Sequence, residues 1–440
     1  MADAATYREL GEAAWAWTLG QVHHDEDGPW LAERVVDGEP KPAGARDCFY
    51  DGIAGLAPVL AELRLARPLT RAETALADGI AERLAAQAGT RVEPSLYDGL
   101  AGDVTALRLL APGREGVALE RLARLRTPAG WPTTMRADSR EPSTDVVMGS
   151  AGIVHAAVWV GGDRAEEIMT TGGEALLAVA EPTDAGLDWR MWPGYRSSSP
   201  NFSHGTAGVA AALAVAGRAL DRADFVEAAR RGADHLLAVA DLSGGGFVVP
   251  HTSPPSQREV EPVTYNWCHG PAGTSQLFPA LALAGVEEVG GHPVGELRHR
   301  CLHSVLTCGL PARLRPGFWD NDGRCCGTAG VGDILLDAAQ DSTGPAPYLD
   351  GARTMADALA DRAIRDGTGA YWRFVEHRQD PPLLPPGTGW MQGSAGIAAF
   401  LLRLARVEEE GLTAAVVDRP DQWWAVPAAR RVTGSRVTGS

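Results

Sequence analysis

The apolar residues of this chain fall into two alternating kinds of segment. Segments such as 209–220 and 397–407 are apolar on nearly every side, whereas segments such as 222–240 and 349–366 are charged and amphipathic. A helix that is apolar all round is buried, and an amphipathic helix covers a core with one face. The alternation therefore predicts helix pairs with one inner and one outer member.

A short pattern, Gly-x-Ala-Gly, precedes each inner segment. It occurs seven times, and successive first glycines are 47 to 66 residues apart, which is room for two helices and their connections. At these glycines we expect positive φ or close approach of backbones. The first glycines are Gly52, Gly99, Gly149, Gly205, Gly270, Gly327 and Gly393.

The terminal copies of the motif are as regular as the middle ones. Because an open solenoid carries atypical capping repeats at its ends, this regularity favours a closed ring. We predict an all-α fold, an α/α toroid of seven inner and seven outer helices formed by residues 1–427. Residues 428–440 are predicted to be a disordered tail, and the pair Trp423-Trp424 is expected to dock on the toroid.

Composition narrows the chemistry. The net charge of −16 argues against a nucleic-acid partner. Lys41, the only lysine, lies between two prolines, which excludes a Schiff-base lysine and a Walker phosphate loop. We expect no membrane span and no signal peptide. Six cysteines in 440 residues do not form a disulfide framework, so the predicted location is cytoplasmic.

The residues just before the middle glycines are reactive. Seven inner helices that begin at one end place seven partly positive N-termini around one mouth, where thiolates are stabilised. Cys268, Cys325 and Cys326 lie there on two neighbouring loops, and three protein ligands plus one open position are typical of catalytic Zn²⁺. The alternative is ordinary buried thiols, which we predict for the cysteines away from the motifs, Cys48, Cys301 and Cys308.

His204 precedes the fourth glycine in the same way. It fits a metal ligand, a general acid or base, or a buried core histidine, and its place on the rim favours acid–base chemistry. Asp145 fits a helix cap on pattern alone. His269 is a candidate substrate contact, with packing as the alternative. The three asparagines, Asn201, Asn266 and Asn321, fit loop bracing beside these residues or simple turn formation.

These motifs resemble the lanthionine synthetase C-like family, the LanC cyclases and their relatives. The resemblance runs from Gly52 to about Leu404, and its specific part is Ser203-His204-Gly205, Trp267-Cys268-His269-Gly270 and Cys325-Cys326-Gly327. It implies a toroid with a central zinc held by Cys268, Cys325 and Cys326, with His204 and Asp145 in catalysis. It also implies lanthipeptide biosynthesis, including that of antibiotics.

The activity that the resemblance implies is addition of a peptide cysteine thiol to dehydroalanine or dehydrobutyrine, which closes a thioether ring. The partners would be a dehydrated precursor peptide and a separate dehydratase or kinase. The pair Cys325-Cys326 replaces the family's commoner Cys-His, so the chain resembles the three-cysteine subset, here as a stand-alone cyclase. Thr264 stands where some members have an arginine, and Arg324 is the candidate substitute.

Other functions remain open from the sequence. The thiol substrate could be glutathione or another small thiol. A toroid can also carry a glycosidase, for which Asp145 and Asp322 would be the carboxylate pair, although that function leaves three rim cysteines unexplained. A third alternative is a non-catalytic, zinc-stabilised scaffold for a partner synthetase.

Overall fold

The computed structural model describes residues 2–36, 39–42, 46–133, 142–255, 262–312, 321–341, 344–375 and 380–432. Within these ranges the chain is mainly helical, with short two- and three-stranded sheets in the connections. No helix in them has the length and apolar character needed to cross a membrane.

The inner helices are built from small apolar residues that follow each Gly-x-Ala-Gly motif. In α8, for example, every residue from Thr206 to Gly217 is buried. The fifth inner position is divided into two short helices, and a 3₁₀ turn at Ile53–Leu56 leads into the first. The inner helices are α2 (Ala57–Ala66), α4 (Leu100–Leu110), α6 (Ser150–Val160), α8 (Thr206–Leu220), α10 (Pro271–Thr274) with α11 (Leu277–Leu283), α13 (Thr328–Asp341) and α15 (Ser394–Glu410).

The outer helices bury one face only. In α9 the buried positions Phe225, Ala228, Ala229, Gly232 and Leu236 recur every three or four residues, as the amphipathic pattern predicts. The outer helices are α1 (Ala4–Leu19), α3 (Arg71–Gln87), α5 (Gly116–Leu125), α7 (Asp163–Ala178), α9 (Ala223–Val239), α12 (Val294–Thr307) and α14 (Ala346–Arg362).

The inner helices form a closed ring. Each one contacts the next along the chain, and α15, the last, packs against α2, the first. At the end where these helices begin, the residues two positions before each first glycine are joined by a circle of backbone N–H···O=C hydrogen bonds of 2.8 to 3.4 Å. The circle runs through Tyr50, Tyr97, Val147, Ser203, Cys268, Cys325 and Met391 and returns to Tyr50. The predicted all-α toroid is confirmed, and the described residues place helices at seven inner and seven outer positions.

Glycine is required at the motif positions because the surrounding atoms leave no room for a side chain. A Cβ on Gly208 would lie 2.0 Å from the carbonyl oxygen of Phe202 and 2.5 Å from Val146 of the preceding repeat. The expectation of positive φ is wrong for these positions, because Gly99 and Gly205 have φ of −141° and −174°. Positive φ occurs instead at glycines that end inner helices, such as Gly161 at 72°.

The strands are short and lie in the connections between helices. A three-stranded sheet follows α1, and the other strands form two-stranded pairs, among which β10 pairs with β11 and β11 lies beside β2. The strands are β1 (Val22–Asp25), β2 (Gly28–Val36), β3 (Glu39–Pro42), β4 (Glu181–Pro182), β5 (Leu187–Asp188), β6 (Glu288–Val289), β7 (His292–Pro293), β8 (Ile364–Asp366), β9 (Gly369–Tyr371), β10 (Arg373–Val375), β11 (Leu383–Pro386), β12 (Val416–Val417) and β13 (Arg431–Val432).

The chain after α15 turns back into the ring. Trp424 is buried, and its indole N–H donates to the carbonyl of Gln276 at 2.9 Å, so the tryptophan pair docks within the chain. Beyond it, Ala428–Arg430 form a 3₁₀ turn and β13 pairs in parallel with β12. The single domain 1–427 and the disordered tail stay predictions, and residues 433–440 lie outside the described residues.

Candidate active site

The sulfur atoms of Cys268, Cys325 and Cys326 meet at the start of the inner helices. The backbone circle carries Cys268 and Cys325 as neighbours, and Cys326 follows directly. All three sulfurs lie within 4.8 Å of one another, with Sγ–Sγ distances of 3.5 Å for Cys268–Cys326 and 3.4 Å for Cys325–Cys326. Thiolates at ~2.3 Å from a tetrahedral Zn²⁺ are ~3.8 Å apart. The trio therefore has the donor atoms and spacing that a metal ion needs.

The cluster already favours a thiolate. The neighbouring Cys268 and Cys326 thiols and the Tyr50 hydroxyl stabilise negative charge on Cys325 and hold the pKa of its thiol well below its usual range. Burial raises the pKa of Cys268, so the negative charge is concentrated on one sulfur. A thiolate is the form of cysteine that binds metal.

A cavity of about 330 Å³ opens over the three sulfurs. It receives side chains from five of the seven motif loops and from the connections that follow outer helices. Its lining residues are Tyr50, Met191, Tyr195, Ser197, Ser199, His204, His251, Thr252, Cys268, His269, Cys325, Cys326, Phe374 and Gln392.

His204 reaches this cavity with Asp145 behind it. Nδ1 of His204 lies 2.6 Å from Oδ2 of Asp145, whose carboxyl group is fully buried. The other oxygen, Oδ1, accepts the backbone N–H of Met148 at 2.7 Å, so Asp145 braces its own loop as well as orienting the imidazole. Burial opposes a charge on His204, but the hydrogen bond and charge of Asp145 outweigh it and raise the pKa of the histidine.

His269 also lines the cavity, within a row of three histidines. Its ring centroid lies 5.4 Å from that of His204 and 4.0 Å from that of His251. The side-chain oxygen of Asn266 accepts the His269 backbone N–H at 3.0 Å and the Cys268 thiol at 3.2 Å, so this asparagine braces the loop. Sequence reasoning missed His251, which follows an outer helix and has no motif to mark it.

Arg324 points away from the cavity. Its guanidinium is buried inside the ring, where it bonds with Asp333 at 2.5 Å and lies 4.2 Å from the ring centroid of Trp390. It occupies the position three residues before the first glycine, which Phe202, Trp267 and Trp390 fill in other repeats, and those side chains are buried in the interior too. The structure therefore does not bring Arg324 together with His204 and His269.

Tyr50 is a site residue that the sequence could have revealed. It lies two positions before its glycine, as Cys268 and Cys325 do, and its hydroxyl accepts a hydrogen bond from Gln392 Nε2 at 3.0 Å. Met191, Tyr195 and Phe374 form an apolar part of the lining and come from connections without any repeating signal.

The other cysteines lie outside the cavity lining. Cys301 is buried in the outer helix α12, and Cys308 caps the same helix. Cys48 is buried and donates to Asp51 Oδ1 at 3.0 Å. Their positions agree with the packing roles predicted for them.

Comparison with nisin cyclase supports the assignment of the fold. The structure is similar to nisin cyclase, with a TM-score of 0.55 and 15% identity over 82% of this chain and 89% of that one. A protein of Listeria innocua matches with a TM-score of 0.48 and 12% identity over 91% and 98% of the two chains. A GH76 α-mannanase of Bacteroides thetaiotaomicron matches with a TM-score of 0.47 and 11% identity over 92% and 96%. A search of curated proteins finds no significant match.

The sequence comparison is more specific than the structural one. The family model described as lanthionine synthetase C-like protein matches residues 45–415, a range that contains all seven glycine motifs and the three clustered cysteines. The chain belongs to the lanthionine synthetase C-like family.

Proposed function

We propose that this protein is a zinc-dependent cyclase that adds peptide cysteine thiols to dehydroalanine or dehydrobutyrine and so forms lanthionine or methyllanthionine rings. The observation that carries the proposal is one cavity lined by three clustered cysteine sulfurs and by a histidine held on a buried carboxylate. Cys268, Cys325 and Cys326 are the proposed ligands. A zinc ion bound there would act as a Lewis acid that keeps a substrate thiol deprotonated at neutral pH.

The reaction needs a proton at a defined place. Addition of the sulfur to the β-carbon of the dehydro residue forms a C–S bond and leaves an enolate, which must be protonated at the α-carbon. His204 is the proposed acid, because Asp145 orients its ring and raises its pKa. The thiol proton is replaced by the proton on carbon, so the product has the mass of the substrate and no oxidant is required.

The cavity suits the reacting part of a peptide. Its volume of about 330 Å³ is at the small end of the range of ligand sites. It combines polar serine and threonine hydroxyls with the apolar groups of Met191, Tyr195 and Phe374. We propose a dehydrated precursor peptide as the substrate, with dehydration supplied by a separate dehydratase or kinase.

A glycosidase would lack its second carboxylate in this cavity. Asp322 bonds with the guanidinium of Arg362 at 2.6 Å, and it is absent from the cavity lining. Asp145 is engaged with His204 and with the Met148 backbone. No observation on the described residues favours a small-thiol substrate or a non-catalytic scaffold over the peptide cyclase.

The test is incubation of the zinc-loaded protein with dehydrated, cysteine-containing peptides. We expect the free thiols counted by alkylation to decrease at constant peptide mass, and Cys268→Ala to abolish the decrease. Consumption of glutathione, with a corresponding mass increase and with peptide thiols left intact, would favour the small-thiol alternative. Zinc binding without loss of any thiol would favour the scaffold.

A further inference from the structure

The segment after the family match is part of the ring interior. The match ends at residue 415, and the chain then forms a loop whose two ends pair through β12 and β13. Between these strands, residues 418–426, here called the C-terminal plug, run inside the ring, and most of their side chains are buried. Loops whose ends meet and whose own side chains pack inward are frequently functional.

The plug is attached to several repeats at once. Asp418 accepts the indole N–H of Trp159 at 2.9 Å, and Asp421 accepts the hydroxyl of Tyr97 at 3.0 Å. Trp424 stacks on His155, with ring centroids 4.7 Å apart, and donates to Gln276. These partners belong to the second, third and fifth repeats, so the plug links distant parts of the ring.

Arg419 and Gln422 of the plug converge on one carboxylate of α13. Both donate to Oδ2 of Asp333, at 2.9 and 3.1 Å. The same carboxyl group bonds with Arg403 of α15 and with Arg324. The charges in this buried group balance, since three arginines, Arg324, Arg403 and Arg419, face three aspartates, Asp333, Asp337 and Asp421.

This group of buried charges adjoins the two loops that carry the cysteines. Arg324 is the residue before Cys325, and Trp267 is the residue before Cys268. Trp267, Arg324, Asp421 and Gln422 line one small cavity of about 10 Å³, so the C-terminal plug adjoins both loops. The Arg324 and Arg419 guanidiniums lie 4.2 and 5.2 Å from the ring centroid of Trp390.

We infer that Arg419 is a positioning residue for the cysteine centre, which acts through Asp333 and Arg324 to hold the sulfurs of Cys325 and Cys326 in place. Removing its guanidinium leaves the buried carboxyl group of Asp333 one partner short, so the position at which Asp333 bonds with Arg324 is no longer fixed by Arg419. The loop that carries Cys325 and Cys326 then loses the support that a fixed Arg324 side chain gives it. The inference rests on the proposed function only in taking the three cysteines as metal ligands.

The test compares Arg419→Gln with Arg83→Gln in the full chain. Arg83 of the outer helix α3 is the matched control, because its side chain is buried to a similar degree and bonds with two acids, Asp25 and Asp47. The measurement is Cd²⁺ affinity from thiolate-to-metal charge-transfer absorption, made below the unfolding temperature of each variant. We expect Arg419→Gln to weaken binding at least about ten-fold, Arg419→Lys to recover part of that loss, and Arg83→Gln to bind as the wild type does.

Two results would overturn the inference. One is unchanged Cd²⁺ affinity in folded Arg419→Gln, and the other is an equal loss in Arg83→Gln, which would indicate general destabilisation. If Arg419→Gln does not fold, Gln422→Leu removes one hydrogen bond to Asp333 without a change of charge, and wild-type affinity in it is equally contradictory. A wild type that binds no Cd²⁺ refutes the metal assignment instead. Alkylation rates of the metal-free cysteines, expected to be faster in Arg419→Gln, then still decide the positioning role.

Discussion

Replacement of Asp145 by asparagine tests the proton-delivery step. Asparagine has nearly the same shape and keeps an oxygen for the Met148 N–H, but it removes the negative charge that faces Nδ1 of His204 at 2.6 Å. Burial of the imidazole remains and disfavours its charged form. The pKa of His204 must therefore fall in the variant.

The size of the effect follows from the bond that is lost. A hydrogen bond to a charged group contributes about 1.5–3 kcal/mol, and about 1.4 kcal/mol corresponds to a factor of ten in rate. We expect cyclisation by Asp145→Asn to be about 10- to 150-fold slower at neutral pH. The acid form of His204 disappears as pH rises through its pKa. The alkaline limb of the pH–rate profile should therefore move to lower pH, and the deficit should shrink in acid.

The pH dependence of folding stability should follow from the same raised pKa of His204. The folded-state pKa of His204 is raised, so Asp145 contributes stability below the unfolded pKa of about 6.5 and loses that contribution as pH rises through the folded pKa. Asp145→Asn should therefore lower Tm more at acidic than at alkaline pH.

The assay is the initial rate of thiol loss from a dehydrated peptide across pH, with Tm measured in the same buffers. Asp188→Asn is the control, because Asp188 is a largely buried carboxylate 3.7 Å from His235 and lies outside the cavity lining. A pH–rate profile in Asp145→Asn that coincides with the wild type, or an equal rate loss in Asp188→Asn, would refute the role given to the Asp145–His204 pair.

Further predictions concern the metal ligands and the glycine motifs. Cys326→His should retain zinc, measured by elemental analysis, but cyclise more slowly, because three thiolates donate more electron density to the metal than two thiolates and an imidazole; faster cyclisation would contradict this. Gly208→Ala should lower the free energy of unfolding by about 1–3 kcal/mol or prevent folding, because its Cβ would lie 2.0 Å from the Phe202 carbonyl oxygen. Gly89→Ala, where a Cβ meets nothing within 4 Å, should unfold in urea within about 0.5 kcal/mol of the wild type, and similar midpoints for the two alanine variants would refute the crowding argument.

The ring and the cysteine trio were predictable because both are defined by position relative to the repeated glycine motif. The glycines of each repeat mark the start of an inner helix, and position relative to them separated Cys268, Cys325 and Cys326 from the other three cysteines. The position of Arg324 relative to the same motif could have predicted the direction of its side chain. Its place three residues before the glycine coincides with the buried Phe202, Trp267 and Trp390, which indicates an inward side chain.

Other parts of the site have no such relation to the motif. His251, Tyr195 and Phe374 reach the cavity from connections of irregular length, whose paths depend on tertiary contacts such as the backbone pairing of Ser198 with Ser253. The C-terminal plug was equally hidden, because its charged residues are typical of an exposed segment when considered alone. The cost of burying them is offset only when Arg419 meets Asp333, a contact between residues 86 positions apart.

The most direct test of the central claim is the zinc content of the purified protein, measured together with its Cys268→Ala variant. Cys268 supplies one of three clustered sulfurs whose spacing suits a metal ion. The proposal predicts one zinc per chain in the wild type, and loss of both zinc and peptide cyclisation in the variant. Full cyclisation by a zinc-free Cys268→Ala protein would contradict it.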